Sequence, residues 1–230
     1  MPSKGVLYIV STPIGNLEDI TFRAIRILKE SPLIAAEDTR RTKKLLSHYK
    51  LETKTISYFE HNSFARIPKL INHLNSGEDL ALVSDAGTPG ISDPAYRLIR
   101  AAIDSNFLVQ SIPGPSAFLT ALVCSGLPTD RFIFEGFLPH KKGRKGKLEK
   151  IKDIDATVIY YESPNRIKKT LNDILKYVGD RPAVICRELS KKFEEIFRGK
   201  VSELLNNFNN GKVKGEFVIM IAKDDKNVYF

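Results

Sequence analysis

Short apolar runs alternate with helix-period segments through the first half of the chain, and this alternation limits the possible folds more than any other feature. The runs contain few polar residues: VLYIV (6–10), LIAA (33–36), TISYF (55–59), LALV (80–83) and FLVQSI (107–112). A segment with helical spacing follows each of the first four, at 20–30, 39–49, 63–74 and 94–105. Strands of a parallel sheet are typically this apolar, because helices cover both faces of the sheet. We therefore predict a parallel α/β sheet over the first half.

The segment PGPSA (113–117) ends the regular alternation. Pro-Gly-Pro interrupts regular structure strongly, and the small residues after it open another helix. Further strand-like runs follow at 132–137, 157–163, 183–189, 194–200 and 216–222, with a spacing that suits a mixed sheet. We predict an α/β protein with two α/β domains, a parallel-sheet domain over residues 1–112 and a mixed-sheet domain over residues 113–230.

The composition argues against several classes of protein. The chain is 42% hydrophobic and 27% charged, as globular proteins are, and no apolar run approaches the roughly 20 residues of a membrane span. The N-terminal segment lacks the long apolar stretch of a secretory signal, so we expect a cytoplasmic protein that does not contact the membrane. Cys124 and Cys186 have no CxxC spacing and the four histidines are scattered. We predict two buried thiols and no metal site.

The charge balance points to an anionic partner. Lysine and arginine exceed aspartate and glutamate by 36 − 27 = 9, and the segment HKKGRKGKLEK (140–150) is strongly basic. Clustered cations favour phosphate binding, so a nucleic acid is one interpretation. A solubilising surface loop is the other, and charge alone does not separate them.

Three polar loops follow predicted parallel strands: STPIGNLEDIT (11–21), AEDTRR (36–41) and SDAGTPGISDP (84–94). In parallel α/β sheets, ligands bind beyond the carboxyl ends of the strands. None of the loops has the G-x-G-x-x-G or G-x-x-x-x-G-K-[ST] pattern, which disfavours an ordinary dinucleotide site and a P-loop. We predict a different small-molecule site at this edge.

The loop SDAGTPGISDP contains two kinds of signal. Ser92, Asp93 and Pro94 are typical of a helix start. A tight capped connection explains those three residues but not Asp85 with Gly87, which offer an acceptor and a close backbone approach. We therefore predict that the first part of this loop binds a ligand.

Two further polar segments leave alternatives open. In AEDTRR, Asp38 or Thr39 caps the next helix while Arg40 and Arg41 are solvated. Alternatively, Glu37 and Asp38 form with these arginines a mixed-charge patch that faces the ligand site and orients a polar substrate or takes a proton. In YYESPNR (160–166), Glu162 and Arg166 form a helical i, i+4 pair or else reach a ligand.

The order of seven segments identifies a family. They are LYIVSTPIGNLEDITFRAIRIL (7–28), AAEDTRRTKKLL (35–46), LVSDAGTPGISDPAYRLI (82–99), SIPGPSAFLTAL (111–122), FEGFLP (134–139), YYESPNRI (160–167) and CRELSKKFEE (186–195). Over essentially its whole length the chain resembles the tetrapyrrole methylase superfamily, S-adenosylmethionine enzymes with two α/β domains and a cofactor cleft between them. Within the superfamily it resembles the members that methylate small-subunit ribosomal RNA.

The resemblance implies an enzyme that 2′-O-methylates the ribose of a cytidine in the decoding region of 16S rRNA. S-adenosylmethionine would be the methyl donor, 16S rRNA or the 30S subunit the acceptor, and a homodimer the expected assembly. A relative that methylates a tetrapyrrole or another small acceptor is the alternative enzyme, and an RNA-binding module without catalysis is the alternative from another class. Some members continue with a further helical segment after the strand matching GEFVIMIA, where this sequence has DDKNVYF.

The resemblance also implies a set of site residues. The cofactor contacts would be Pro13, Ile14, Asp85, Ala86, Gly87, Thr88, Ile91, Ser116, Ala117, Tyr161, Glu162, Leu189 and Gly215. A ribose hydroxyl is a poor nucleophile and a general base assists it, so the acidity of Glu37 and Asp38 makes them the candidates. The rRNA phosphates would be held by Arg40, Lys141, Lys142, Arg144, Lys145, Lys147 and Arg166.

Overall fold

The computed structural model describes residues 4–208 and 213–229. The chain divides into two units between Ser116 and Ala117, and each unit contains one five-stranded sheet. Within the described residues, no helix is long and apolar enough to cross a membrane.

The sheet of the first unit is entirely parallel, with the strand order β3-β2-β4-β1-β5. Its strands are β1 Val6–Val10, β2 Leu33–Ala36, β3 Lys54–Ser57, β4 Leu80–Val83 and β5 Leu108–Ile112. Its helices are α1 Phe22–Glu30, α2 Thr39–His48, α3 Ser63–Asn75 and α4 Ala95–Asp104, with a short 3-10 helix Leu17–Asp19 before α1. The prediction of a parallel sheet in this half is confirmed.

Helices cover both faces of this sheet, and β4 shows how. Leu80 and Leu82 pack in a cluster with buried residues of α3 and α4, whereas Ala81 and Val83 pack with those of α1 and α2. All four β4 side chains are buried because successive residues of a strand point to opposite faces. The continuous apolar run LALV follows from this double burial.

The second unit contains a mixed sheet, as predicted, with the strand order β6-β7-β10-β8-β9. The β6–β7 pair is parallel and the other three pairs are antiparallel. The strands are β6 Phe132–Phe137, β7 Thr157–Glu162, β8 Pro182–Arg187, β9 Glu195–Lys200 and β10 Phe217–Ile221. The helices are α5 Ala117–Ser125, α6 Arg144–Ile151, α7 Ile167–Tyr177 and α8 Val201–Asn206.

The basic segment 140–150 differs from the sequence-based expectation, because most of it is helix α6 and not a loop. Arg144, Leu148 and Ile151 are buried, at the i, i+4, i+7 spacing of one helix face. Gly143, with φ of 80°, precedes the helix, and Gly146 lies inside it. Two glycines and a run of lysines hid this short periodicity, so the expectation of a loop was wrong.

Candidate functional site

Backbone hydrogen bonds join the loops that leave the carboxyl edge of the first sheet. The N–H of Thr12, after β1, donates to the carbonyl of Gly87, after β4, and the reverse bond has the same 2.9 Å length. The Thr88 hydroxyl lies 2.9 Å from the Ser11 hydroxyl and donates to the Pro115 carbonyl at 3.1 Å. The loops after β1, β4 and β5 are therefore held together at one place.

Two glycines permit this close approach. Gly87 has a φ of +79°, a backbone conformation that favours glycine and would be strained for another residue. A Cβ on Gly114 would lie only 2.8 Å from the Cβ of Ser11, so the loop after β5 could not approach the β1 loop so closely with a larger residue.

Asp85 connects this assembly to the loop after β2. Its backbone N–H donates to Glu37 Oε2 at 3.1 Å, and its own Oδ1 accepts from the N–H of Asp38 at 2.9 Å. Its Oδ2 lies 3.4 Å from a guanidinium nitrogen of Arg41. The side chain is 27% exposed, so a fixed carboxylate remains accessible at the sheet edge.

The structure gives Glu37 and Asp38 different environments. Burial raises the pKa of the Glu37 carboxyl, and the nearby Asp85 carboxylate raises it further, although the hydrogen bond from the Asp85 N–H acts in the opposite direction. Hydrogen bonds from the Arg40 side chain and backbone hold the pKa of Asp38 well below its usual range. Asp38 caps α2 through the Arg40 N–H at 2.8 Å, so its capping alternative is the one observed.

A cavity of about 150 Å³ opens beside Asp85. Its lining combines the loops after β1 and β4 with the first turns of α2: Thr12, Pro13, Leu17, Arg41, Thr42, Lys44, Leu45, Ser84 and Asp85. Sequence reasoning selected Pro13 and Asp85 from this set and included Arg41 in one interpretation of AEDTRR, but it passed over Lys44. The signal for Lys44 was present, because its i, i+3 spacing from Arg41 places both on one side of a helix.

The remaining first-unit candidates lie on the same loops. Ala86 is exposed and Ile91 is 39% exposed, whereas Ile14 and Ser116 are half-buried. No group of three or more histidine, cysteine, aspartate or glutamate side chains suited to a metal ion occurs in the part of the chain that the structure describes.

In the second unit, Tyr161 and Ala117 lie close together. The hydroxyl oxygen of Tyr161 accepts from the N–H of Phe118, directly after Ala117, at 3.3 Å. The Tyr161 ring meets Phe134 and Phe137 edge-on, with centroid distances of 4.9 and 5.7 Å. Burial raises the pKa of the Tyr161 hydroxyl. The start of α5 and the end of β7 thus share an aromatic cluster.

Leu189 and Gly215 are brought together through Glu188. The N–H of Glu188 donates to the carbonyl of Glu216 at 3.0 Å, and Glu188 Oε1 accepts from the N–H of Glu216 at 2.9 Å. Gly215 has a φ of +101°, and a Cβ there would come within 2.6 Å of Glu188 Cγ. Leu189 is buried next to this contact.

Glu162 lies in a buried polar network and not on an open surface. Its Oε2 accepts from the Thr170 hydroxyl at 2.6 Å, and its Oε1 accepts from the Ser163 N–H at 2.7 Å. Arg166 Nε lies 3.1 Å from the same Oε1. Glu162 and Arg166 therefore form the i, i+4 pair, but the pair is not helical, because Glu162 ends β7 and Arg166 lies just before α7.

Arg144 belongs to the same network, which corrects its assignment to RNA binding. The residue is 6% exposed, and each of its guanidinium nitrogens has a partner. Nε donates to Asp173 Oδ2 at 2.7 Å, Nη2 to the Thr170 hydroxyl at 2.8 Å and Nη1 to the Pro139 carbonyl at 3.2 Å. A guanidinium with all its nitrogens engaged inside the unit is not available to phosphates.

The other predicted RNA contacts divide into paired and unpaired cations. Lys145 lies 3.6 Å from Glu149, and Lys147 lies 2.7 Å from Glu135. Arg40 is exposed but makes two side-chain hydrogen bonds to Asp38. Lys141 and Lys142 are exposed and have no ion pair within the described residues.

Comparison with known proteins identifies the family. Residues 6–205 match the family model described as Tetrapyrrole (Corrin/Porphyrin) Methylases. The chain belongs to the tetrapyrrole methylase family. Within this family it is similar to proteins named ribosomal RNA small subunit methyltransferase I. The one from Halalkalibacterium halodurans is 52% identical over 226 residues, which cover 98% of this chain and 78% of the relative. The one from Thermotoga maritima is 46% identical, with 95% and 98% covered.

Solved structures of family members share the fold. A uroporphyrin-III C-methyltransferase from Thermus thermophilus, complexed with S-adenosyl homocysteine, has a TM-score of 0.66 at 17% identity, with 94% of this chain and 97% of that chain covered. A cobalt precorrin-4 methyltransferase has a TM-score of 0.71 at 15% identity, with 94% of both chains covered. The tetrapyrrole methylase fold predicted for this chain is therefore confirmed.

Proposed function

We propose that this protein transfers a methyl group from S-adenosylmethionine to the ribose 2′-oxygen of a cytidine in the decoding region of 16S rRNA. The observation that carries the proposal is the joining of four carboxyl-edge loops around Asp85 and Thr88. The names of relatives about half identical over nearly the whole chain support the choice of acceptor. The basic surface supports an RNA substrate.

The residues around Asp85 fit the methyl donor. An accessible carboxylate suits the ammonium group of the methionine portion, and the exposed Ala86 with the left-handed Gly87 allows close approach to the backbone. The residues that would hold the donor are Pro13, Ile14, Asp85, Ala86, Gly87, Thr88, Ile91 and Ser116, with Ala117, Tyr161, Leu189 and Gly215 from the second unit. Glu162 would act indirectly, by fixing the backbone of Ser163. When bound, S-adenosylmethionine supplies an already activated methyl group.

The chain's own contribution is alignment and proton transfer. Holding the ribose hydroxyl in line with the methyl group accounts for most of the acceleration in a reaction with an activated donor. Glu37 is the proton acceptor in this proposal, because burial raises the pKa of its carboxyl toward the working range of a base. Asp38 is the weaker candidate, since its carboxylate caps α2 and pairs with Arg40.

The test is transfer of a labelled methyl group to 30S subunits and to naked 16S rRNA, followed by mapping of the modified nucleotide. We expect label on the 2′-oxygen of one cytidine. Glu37→Gln should lower turnover by about 10²-fold or more while cofactor and RNA affinity are kept, and Asp38→Asn is the matched control with near-normal turnover. Label on a tetrapyrrole but not on RNA would refute the proposal, and normal turnover of Glu37→Gln would remove Glu37 from it.

The assembly is proposed to be a homodimer. Light scattering of the purified protein measures this directly, and a monomer at the concentrations used for the transfer assay would contradict it.

A further inference from the structure

The exposed face of α2 carries cations and no acidic residue. Arg40, Arg41, Lys43 and Lys44 are exposed, whereas Thr42, Leu45 and Leu46 are buried against the sheet. Lys50 follows just after the helix and is also exposed. We call Arg41, Lys43, Lys44 and Lys50 the α2 basic face. Arg40 is left out because its guanidinium is held by Asp38.

Helix stability does not explain this arrangement. Arg41 and Lys44 are like charges at i, i+3, which repel each other, and cations in the first turn oppose the helix dipole. Other surface helices of the same unit place an acid at i+4 from a cation: Arg26 with Glu30 on α1, and Arg100 with Asp104 on α4. A helix that keeps unfavourable charges on its outer face has a surface suited to a partner of opposite charge.

The α2 basic face lies between two concave surfaces. On one flank is the cavity beside Asp85, which Arg41 and Lys44 help to line. On the other is a depression of about 380 Å³ lined by Lys43, Leu46, Ser47, Lys50, Leu51, Glu52 and Thr53. The face therefore extends from the candidate site across the helix to the second concave surface.

The charges of this face are less neutralised than those of the predicted basic segment. Within the ranges 4–208 and 213–229, Lys43, Lys44 and Lys50 form no ion pair, and Arg41 lies 3.4 Å from Asp85. In the segment 140–150, by contrast, Arg144, Lys145 and Lys147 have carboxylate partners, so half of its six cations are paired, whereas three of the four cations on the α2 basic face have none in the described part of the chain. Counterion release on phosphate binding is greatest for cations without such partners.

We propose that the α2 basic face binds phosphates of the rRNA strand that flanks the target nucleotide, an inference that rests on the proposed function. Lysine and arginine contacts to phosphate fix position without reading sequence, which suits a helix beside the reacting ribose. The exposed residues of α2 also include Ser47 and His48 but no large apolar side chain. Protein interfaces need a buried apolar or aromatic anchor and membrane-bound helices need an apolar face, and α2 offers neither outward.

The test compares two triple variants with the same change in charge. Lys43→Gln, Lys44→Gln and Lys50→Gln together remove three cations from the α2 basic face. The control removes Arg66, Lys69 and Arg100, each replaced by Gln, from α3 and α4 on the opposite side of the sheet. Affinity for 16S rRNA is measured over a range of salt concentrations, and cofactor affinity by calorimetry.

We expect the α2 triple variant to bind rRNA about tenfold or more weakly at physiological salt, with the slope of log Kd against log salt reduced by about 2 to 3. The melting temperature should not change, and the control variant should bind both rRNA and the cofactor as wild type does. The corresponding Lys→Arg triple variant should retain both affinity and slope, which separates lost charge from a disturbed fold.

Three results would overturn the inference. They are unaltered RNA affinity and slope in the α2 triple variant, an equal loss in the control, and a loss seen with 30S subunits but not with naked rRNA, which would indicate a ribosomal protein as the partner. A wild-type protein that binds rRNA through this face but transfers no methyl group to it would instead overturn the proposed function alone.

Discussion

Thr170→Val tests the buried network of the second unit with a change of almost constant shape. The Thr170 hydroxyl donates to Glu162 Oε2 at 2.6 Å and accepts from Arg144 Nη2 at 2.8 Å, so valine leaves two charged groups each short of a partner. A hydrogen bond to a charged group contributes about 1.5–3 kcal/mol. Two such losses, reduced by the burial of one extra methyl group, give a destabilisation of about 3 kcal/mol.

That destabilisation should be visible in thermal unfolding. For a chain of this size, 1 kcal/mol moves Tm by about 2–4 °C, so we expect a decrease of about 6–12 °C by calorimetry. Thr170→Ser keeps the hydroxyl and should lose much less. Thr55→Val, in β3, is a control whose hydroxyl has no part in this network. A Tm within 2 °C of wild type for Thr170→Val, by the same scale, would show that the network does not stabilise the unit as the geometry indicates.

Two further predictions concern the first unit. Burial raises the pKa of the Glu37 carboxyl, which means that the folded protein favours its neutral form. The contribution of this form to the free energy of unfolding is fully present below the unperturbed pKa of glutamate, and it is lost as the pH rises through the raised pKa. Glu37→Gln should therefore have a higher Tm than wild type at neutral pH. Thermal scans at several pH values should show this difference in Tm falling to zero in acid. A difference in Tm that does not change with pH would contradict the prediction. Gly114→Ala places a Cβ 2.8 Å from that of Ser11 and should lower the free energy of unfolding, measured with urea, by about 1–3 kcal/mol. An unchanged midpoint of the urea transition would mean that the loop after β5 moves freely to accept the methyl group.

The sequence predicted most of the fold because buried strands leave a strong local signal. The predicted strands 6–10, 33–36 and 80–83 have the observed bounds, since each is an apolar run between turn residues. Helix α6 was missed because it is only eight residues long and begins beside a glycine. Its single buried stripe is too short for a periodic pattern to stand out.

The candidate site was predictable in its location but not in its contacts. Parallel topology alone brings the loops after β1, β2 and β4 to one edge. Which of two adjacent acids caps a helix depends on backbone geometry, as Glu37 and Asp38 show. Arg144 has the same composition around it as its lysine neighbours, and its burial depends on Thr170 and Asp173, 26 and 29 residues away. Such contacts are tertiary, so no local pattern reports them.

The Thr12–Gly87 bridge has a consequence for how this family diversifies. Because both hydrogen bonds are made by backbone atoms, mutation of neighbouring side chains such as Pro13 or Ala86 leaves the pairing of the two loops in place. Side chains that contact a substrate can then be substituted while the backbone pairing that positions them is kept. A protein engineer adapting the site to a modified methyl donor would accordingly randomise those neighbours first and keep the two bridged positions fixed.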